Sequence, residues 1–117
     1  RQRQMCIRDS YTDLASLLND HFKSGKPDFD VLICGNDRAA FVAYQVLLAK
    51  GVRIPQDVAV MGFDNLVGVG HLFLPPLTTI QLPHDIIGRE AALHIIEGRE
   101  GGRVTRIPCP LLIRCST

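Results

Sequence analysis

The sequence has no excess of charge of one sign and no long apolar run. Its 13 lysines and arginines are balanced by 12 aspartates and glutamates, which leaves a formal net charge of +1. This balance excludes a polybasic nucleic-acid arm, an acidic tail or a membrane-surface patch as the main activity. No apolar run approaches the roughly 18–20 residues that cross a bilayer, so no membrane partner is expected. With 117 residues, 46% of them hydrophobic, the composition is that of one folded domain.

The four cysteines lack the spacings of a metal site or of a disulfide pair. None forms a Cys-x-x-Cys pair, and no histidine stands at zinc-ligand distance from two of them. Cys109 and Cys115 lie in a predicted strand about 20 Å apart, whereas a disulfide needs Cα atoms within about 7 Å. Cys34 follows an apolar run and is predicted to be buried. We therefore expect reduced thiols, no metal and a cytoplasmic protein.

Motifs of common catalytic sites are also lacking. There is no Gly-x-Ser-x-Gly elbow, no His-Glu-x-x-His pair and no phosphate-binding glycine loop. We therefore assign no catalytic residue and no cofactor, and we expect a protein that is not an enzyme. A small α/β enzyme that uses Asp37 or Asp64 as a general base is the alternative from another class.

Residues 1–10 differ from the rest of the chain. They show neither helical nor strand periodicity, and they resemble translated sequencing-adapter read-through. We expect this segment to be non-native and exclude it from the reasoning about the fold. On that expectation the natural protein continues upstream of Tyr11.

From Tyr11 onward, hydrophobic periodicity predicts helices and strands in alternation. Continuously apolar runs are typical of strands covered on both faces, as in a parallel sheet. The order of elements predicts an open, mostly parallel α/β sheet with helices on both faces. In chain order we predict a helix from Tyr11 with Thr12 or Asp13 as its N-cap, a strand over 30–35, a helix over 39–50, strands over 58–63 and 77–80, a helix between Pro83 and Gly98, and a strand over 104–114.

Two short polar pairs, Asn36-Asp37 and Asp64-Asn65, each follow a predicted buried strand. In open α/β sheets, ligands bind beyond the carboxyl ends of the strands. Asn36, Asp37 and Asp64 are therefore candidate ligand-binding residues, and amide and carboxylate groups suit a sugar or the N–H edge of a nucleobase. Asp37 is alternatively the N-cap of the following helix, and Asn65 is alternatively a turn residue. Phe63 either stacks on the apolar face of a sugar or belongs to the core.

Four segments match one protein family in order and spacing. They are Cys34–Ala40, Gly51–Asn65, Pro75–Ile80 and Gly88–Ala92. They resemble the C-terminal half of the effector-binding region of lactose/galactose-repressor-type (LacI/GalR) transcription regulators. The closing Leu112–Thr117 resembles that family's usual ending, an arginine one residue before Ser-Thr. The resemblance covers residues 11–117 and implies the C-terminal lobe of a periplasmic-binding-protein-like sensor.

The resemblance also implies a function and partners. The effector would be a small molecule, often a sugar or a purine. Asn36 and Asp64 match effector-contacting polar residues of the family, and Phe63 stands where an aromatic residue is common. The helix after Asp37 and the segment Val69–Leu74 would contribute to a homodimer interface. Effector binding would shift the two lobes and change the grip of a helix-turn-helix on its operator.

The sequence departs from the family pattern at two points. The family often has an effector-bonding glutamine where this chain has Leu82, which implies an effector of different polarity. The helix-turn-helix and the N-terminal lobe are outside this sequence, so we expect operator DNA to be bound only through them. A sugar-binding transport receptor of the same fold is the alternative within the ligand-binding class.

Overall fold

The computed structural model describes residues 11–21, 27, 29–98, 101–102 and 104–117. The order of helices and strands is the predicted alternation. The segment predicted to be non-native, 1–10, is outside the described residues. In chain order the elements are α1 (Tyr11–His21), β1 (Val31–Ile33), α2 (Asp37–Ala49), β2 (Ala59–Asp64), β3 (Thr78–Gln81), α3 (His84–Ile96) and β4 (Leu111–Leu112).

The four strands form one sheet in the order β1-β2-β3-β4. β2 is parallel to both of its neighbours, and β4 runs antiparallel to β3. The prediction of an open, mostly parallel α/β sheet is therefore confirmed. The last strand is much shorter than the predicted 104–114, since only Leu111 and Leu112 pair with β3. Pro108 and Pro110 have no N–H to donate to a strand ladder, which explains the shortening.

The hydrophobic core lies between the helices α1 and α2 and one face of the sheet. Tyr44 of α2 packs edge-on against Phe73, with ring centroids 4.8 Å apart, and its hydroxyl donates to the carbonyl of Pro75 at 3.0 Å. These contacts hold the long loop between β2 and β3 against α2. The other wholly buried apolar side chains of this core are Ala40, Ala43, Leu47, Val58, Val60 and Leu77.

The opposite face of β1 is uncovered by the described residues. Val31 and Ile33 are 54% and 70% exposed, although Leu32 between them packs against the core. The described residues therefore cover only one face of β1. Helix α3 begins after Pro83 as predicted, yet it carries no buried residue. The apolar content of a strand shows that it is suited to burial, but not which part of a protein covers it.

The described helices are short, and the first of them begins at Tyr11. Helix α1 begins at Tyr11 and already contains Thr12 and Asp13, so neither is its N-cap. No described helix exceeds 13 residues, which is too short to cross a bilayer.

Cys34 is buried and burial raises its pKa to about 12, whereas Cys109 and Cys115 are exposed and unpaired. Cys6 is outside the described residues.

Candidate functional site

The candidate site lies where the three parallel strands end. The ladder between β2 and β3 places Asp64 beside Gln81 at the last register position. On the other side of β2, the N–H of Cys34 donates to the carbonyl of Met61 at 2.8 Å, so the loop that leads to Asn36 leaves from the same edge. Both polar pairs therefore lie at or beyond the carboxyl ends of the strands, where the sequence predicts that a ligand binds.

Asn36 is the N-cap of α2. Its backbone is extended, with φ −160° and ψ 167°, and its side-chain Oδ1 accepts a hydrogen bond from the N–H of Ala39 at 2.7 Å. This corrects the alternative in which Asp37 caps the helix, because Asp37 is already the first helical residue. The cap uses the oxygen of the amide group. The half-buried side chain also carries two N–H donors that can serve a ligand.

Asp37 is wholly buried at the start of α2. Its Oδ1 accepts a hydrogen bond from the hydroxyl of Thr79 at 2.7 Å, and its Oδ2 accepts one from the N–H of Leu66 at 2.9 Å. The sequence nominated this residue for ligand contact, but both oxygens already serve the chain itself and neither is accessible. Asp37 is therefore a positioning residue that ties α2 to β3 and to the loop after β2.

Asp64 has the features of a residue that meets a ligand. Its backbone φ is 100°, and its side-chain Oδ1 is buried without a hydrogen-bond partner. Burial raises the pKa of the Asp64 carboxyl, and the nearby charge of Asp37 raises it further. The backbone N–H groups of Leu66 and Asp37, and then the charge of His84, act on this pKa in the opposite direction. The side chain as a whole is half-buried, so the carboxylate can accept a hydrogen bond from a ligand hydroxyl.

Phe63 and Asn65 flank this carboxylate. Phe63 is half-buried in β2 beside Ile80, so part of its ring remains accessible. Asn65 has a positive φ of 46°, its N–H donates to the hydroxyl of Thr79 at 3.3 Å, and its Oδ1 accepts from Nη2 of Arg114 at 2.9 Å. Asn65 directly follows the end of β2 with a positive φ, which agrees with its interpretation as a residue of the turn after the strand.

Two polar residues that sequence reasoning did not nominate also lie at this edge. Gln81 is exposed and is the register partner of Asp64. His84 is the first residue of α3 and is close enough to act on the pKa of Asp64. Gln81 directly follows the predicted strand 77–80, so the strand-end rule that found Asp64 could have found it too. His84 follows no strand end and carried no such signal. Leu82 lies half-buried between them.

Comparison with known proteins decides the family. The sequence model described as periplasmic binding proteins and sugar binding domain of LacI family matches residues 1–115. The chain belongs to this family. The resemblance inferred from the four sequence segments is therefore confirmed.

Individual relatives within the LacI family agree with this assignment. The chain is 98% identical over 109 residues to the sucrose operon repressor of Escherichia coli, covering 93% of this chain and 33% of that protein. It is 36% identical over 90 residues to the HTH-type transcriptional repressor CytR of Escherichia coli strain K12, covering 74% of this chain and 26% of that protein. The chain thus spans about a third or less of the length of these relatives. Both relatives are named as repressors, so they give no support to the alternative of a small α/β enzyme.

Solved structures of LacI family regulators share the fold. A LacI family regulator of Enterococcus faecalis V583 with bound ribose superposes with a TM-score of 0.76 at 28% identity, over 94% of this chain and 41% of that one. A CelR–cellobiose complex gives a TM-score of 0.76 at 29% identity over 93% of this chain and 34% of that one. A regulator CCPA of Weissella paramesenteroides with bound sucrose reaches 0.81 over 92% and 39%, but at 22% identity it shows the fold alone.

Proposed function

We propose that this chain is the C-terminal part of the sensor region of a sugar-responsive transcriptional repressor, with sucrose as the effector. The observation that carries the proposal is the half-buried carboxylate of Asp64, one oxygen of which has no hydrogen-bond partner, at the edge where the three parallel strands end. The name of the 98% identical sucrose operon repressor supports the choice of sugar. The operator-binding helix-turn-helix and the second lobe are parts of the regulator outside this chain.

The chemistry of the site suits a sugar. A hydroxyl of the sugar donates to the half-buried carboxylate of Asp64, and the amide N–H groups of Asn36 donate to a second sugar oxygen. Phe63 offers an apolar ring surface for the C–H face of the sugar. Gln81 and His84 add donors and acceptors on the β3 side of the same edge. The second lobe closes over the bound sugar and supplies the remaining contacts.

We propose a homodimer through α2 and the segment Val69–Leu74, as the sequence predicts. A groove of about 190 Å³ lies between them, and its walls are mainly apolar. Phe41 and Leu48 of α2 and Leu72 and Leu74 of the loop line it and are all exposed. A contiguous apolar surface of this kind is typical of a protein interface.

The regulator is proposed to act in the cytoplasm, where operator DNA is found. Sugar binding between the two lobes changes their relative position, and this change alters how the paired DNA-binding domains meet the operator. The sugar therefore controls operator affinity from a distant site. No residue of the chain needs to react chemically for this function.

The test is binding calorimetry on the full-length regulator that contains this chain, with sucrose and then with ribose, cellobiose and a purine nucleoside. We expect sucrose to bind and to change operator affinity in a gel shift. Binding of sucrose without any operator binding would instead support the transport receptor. Absence of binding for every compound would overturn the proposed function.

A further inference from the structure

The turn that carries the candidate sugar-binding carboxylate has an unusual backbone. Asp64 and Asn65 both have positive φ values, 100° and 46°, and neither is a glycine. Asp and Asn enter this region more readily than other residues with a Cβ, but two in succession are uncommon and depend on the bonds that surround them. The orientation of Asp64 therefore depends on the groups that hold this turn.

Three hydrogen bonds hold the turn, and two of them come from the buried Asp37–Thr79 pair. The hydroxyl of Thr79 accepts from the N–H of Asn65 at 3.3 Å, and Oδ2 of Asp37 accepts from the N–H of Leu66 at 2.9 Å. Both of these bonds fix the backbone on the side of β3 and α2.

The third bond comes from the C-terminal segment of the chain. Nη2 of Arg114 donates to Oδ1 of Asn65 at 2.9 Å, across 49 residues of sequence. Unlike the other two bonds, it holds the turn through a side chain of the turn itself. Its donor is charged, as the carboxylate acceptor of the Leu66 bond is. Hydrogen bonds with a charged donor are roughly twice as strong as neutral ones.

Arg114 is itself placed by several contacts. Its Nη1 donates to the carbonyl of Leu77 at 2.6 Å, and its backbone N–H donates to the hydroxyl of Thr78 at 2.9 Å. The end of the segment is anchored as well, because the hydroxyl of Ser116 donates to the carbonyl of Val60 at 2.7 Å. These hydrogen bonds fix the position of Arg114, so its guanidinium is held next to Asn65.

The same guanidinium lies against the loop of the proposed dimer interface. A Cβ added at Gly70 would come within 2.6 Å of Nη1 and 3.1 Å of Cζ of Arg114. The carbonyl of Gly70 also accepts a hydrogen bond from the N–H of Leu77 at 3.1 Å. The absence of a side chain at Gly70 is therefore what allows the arginine to lie there.

We propose that Arg114 is a positioning residue that orients Asp64 for sugar binding through Asn65 and links this turn to the segment Val69–Leu74. The inference rests on the proposed function in that the bound ligand is a sugar. Arg114 does not touch the sugar. It holds the side-chain oxygen of the neighbouring Asn65 and lies against Gly70 of the segment Val69–Leu74.

The first test is sucrose calorimetry on the full-length regulator with Arg114→Gln, with a change at the exposed Arg106, Arg106→Gln, as a matched control. Loss of a charge-assisted hydrogen bond predicts roughly tenfold or greater weakening of binding for Arg114→Gln. Arg106→Gln is expected to bind as the unchanged protein does. Equal affinity of both variants and the unchanged protein overturns the inference.

A second variant removes the same bond from its other end. Asn65→Gly deletes the acceptor but favours the positive φ, so it keeps the fold of the turn accessible. We expect weaker sucrose binding with a loss of stability no greater than that of Arg114→Gln, and little additional loss of binding when Arg114→Gln is combined with it. Fully additive losses in the double variant would show that the two residues act independently and would overturn the inference.

Hydrogen exchange gives a readout that needs no sugar. In Arg114→Gln the amides of Asn65 and Leu66 are expected to exchange faster, while the amide of Ala39 at the cap of α2 is unchanged. Faster exchange at all three amides identifies a general stabilising role and overturns the inference. If the unchanged protein binds no sugar, the proposed function fails, whereas these exchange rates still decide the role of Arg114.

Discussion

The buried carboxylate of Asp37 and the hydroxyl of Thr79 are joined by a hydrogen bond of 2.7 Å between residues 42 positions apart. Asp37 begins α2 and Thr79 lies in β3, so the bond spans the β2 strand between them. The second oxygen of Asp37 holds the N–H of Leu66, just beyond Asp64. The Asp37–Thr79 pair therefore positions the backbone that follows Asp64 at the candidate sugar site.

Asp37→Ala is expected to destabilise the protein strongly. The change leaves the Thr79 hydroxyl and the Leu66 N–H buried or half-buried without their acceptor, at about 1–3 kcal/mol for each group. Urea unfolding of the full-length regulator measures the loss. Thr79→Val breaks the same bond from its other end and leaves Oδ1 of Asp37 and the N–H of Asn65 without the hydroxyl, so it should destabilise the protein to a similar degree. Equal stability of Asp37→Ala and the unchanged protein would contradict the positioning role.

Gly62→Ala and Gly88→Ala form a matched pair of glycine substitutions with opposite expected signs. A Cβ at Gly62 would overlap Oδ1 of Asp37 and come within 2.8 Å of Cδ2 of Leu77, whereas a Cβ at Gly88 would meet no atom within 4 Å. Overpacking predicts a loss of about 1–3 kcal/mol for Gly62→Ala. The exposed helical Gly88→Ala should gain about 0.5–1 kcal/mol. Melting temperatures of the two variants that move together would refute this account.

Asp64→Asn is expected to change the stability of the protein and its sugar binding in opposite directions at pH 7. Because the folded-state pKa of Asp64 is raised, ionisation of its carboxyl costs folding free energy. This cost is nil below the ordinary pKa near 3.8, grows as pH rises, and is complete above the folded-state pKa. We therefore expect the Asp64→Asn variant to have a raised melting temperature at pH 7, with no gain well below pH 3.8. Melting curves at the two pH values measure the difference.

The same Asp64→Asn variant should lose the response to sucrose while it still binds operator DNA. The amide lowers the strength of the acceptor and introduces a donor beside the incoming hydroxyl. Calorimetry and a gel shift on one preparation measure both properties. An unchanged sucrose response would remove Asp64 from the site, whatever the effect on stability.

Asn36→Asp tests whether the N-cap residue also contacts the sugar. Aspartate caps helices as well as asparagine does, so the melting temperature should change little. It has no N–H donors, however, and we expect sucrose affinity to fall roughly tenfold if one such bond is lost. The control Asn36→Ala loses the cap too and should cost about 1 kcal/mol of stability. Full sucrose affinity in Asn36→Asp would limit Asn36 to capping.

Phe41→Asp is expected to weaken the proposed homodimer. Phe41 is half-exposed on α2, packs 5.9 Å from the ring of Phe73 and lines the apolar groove. A charge in that groove opposes burial against a second copy. Sedimentation of the full-length regulator should show a shift toward monomer. Tyr11→Asp, at an exposed aromatic residue outside the groove, should leave the association unchanged, and a dimer of normal strength in Phe41→Asp would place the interface elsewhere.

Much of the fold and part of the site could be predicted from local patterns. The helix and strand order follows from apolar periodicity, and the position of Asp64 follows from the end of an apolar strand. The burial of Asp37 could not be predicted in this way, because an aspartate between a strand and a helix is equally suited to capping or to ligand contact. Its partners, Thr79 and Leu66, are 42 and 29 residues away.

The alternation of elements, the parallel sheet and the family could all be inferred from the residues, since each depends on residue types at fixed short spacings. The tertiary structure was needed to show that Asn36 caps α2, that Asp37 bonds the N–H of Leu66 just after Asp64, and that Arg114 donates to Asn65. It also showed that, among the described residues, β1 lies at the edge of the sheet with one face exposed. These features depend on hydrogen bonds and packing between distant segments, and the energy of such contacts is set by their tertiary surroundings and not by local composition.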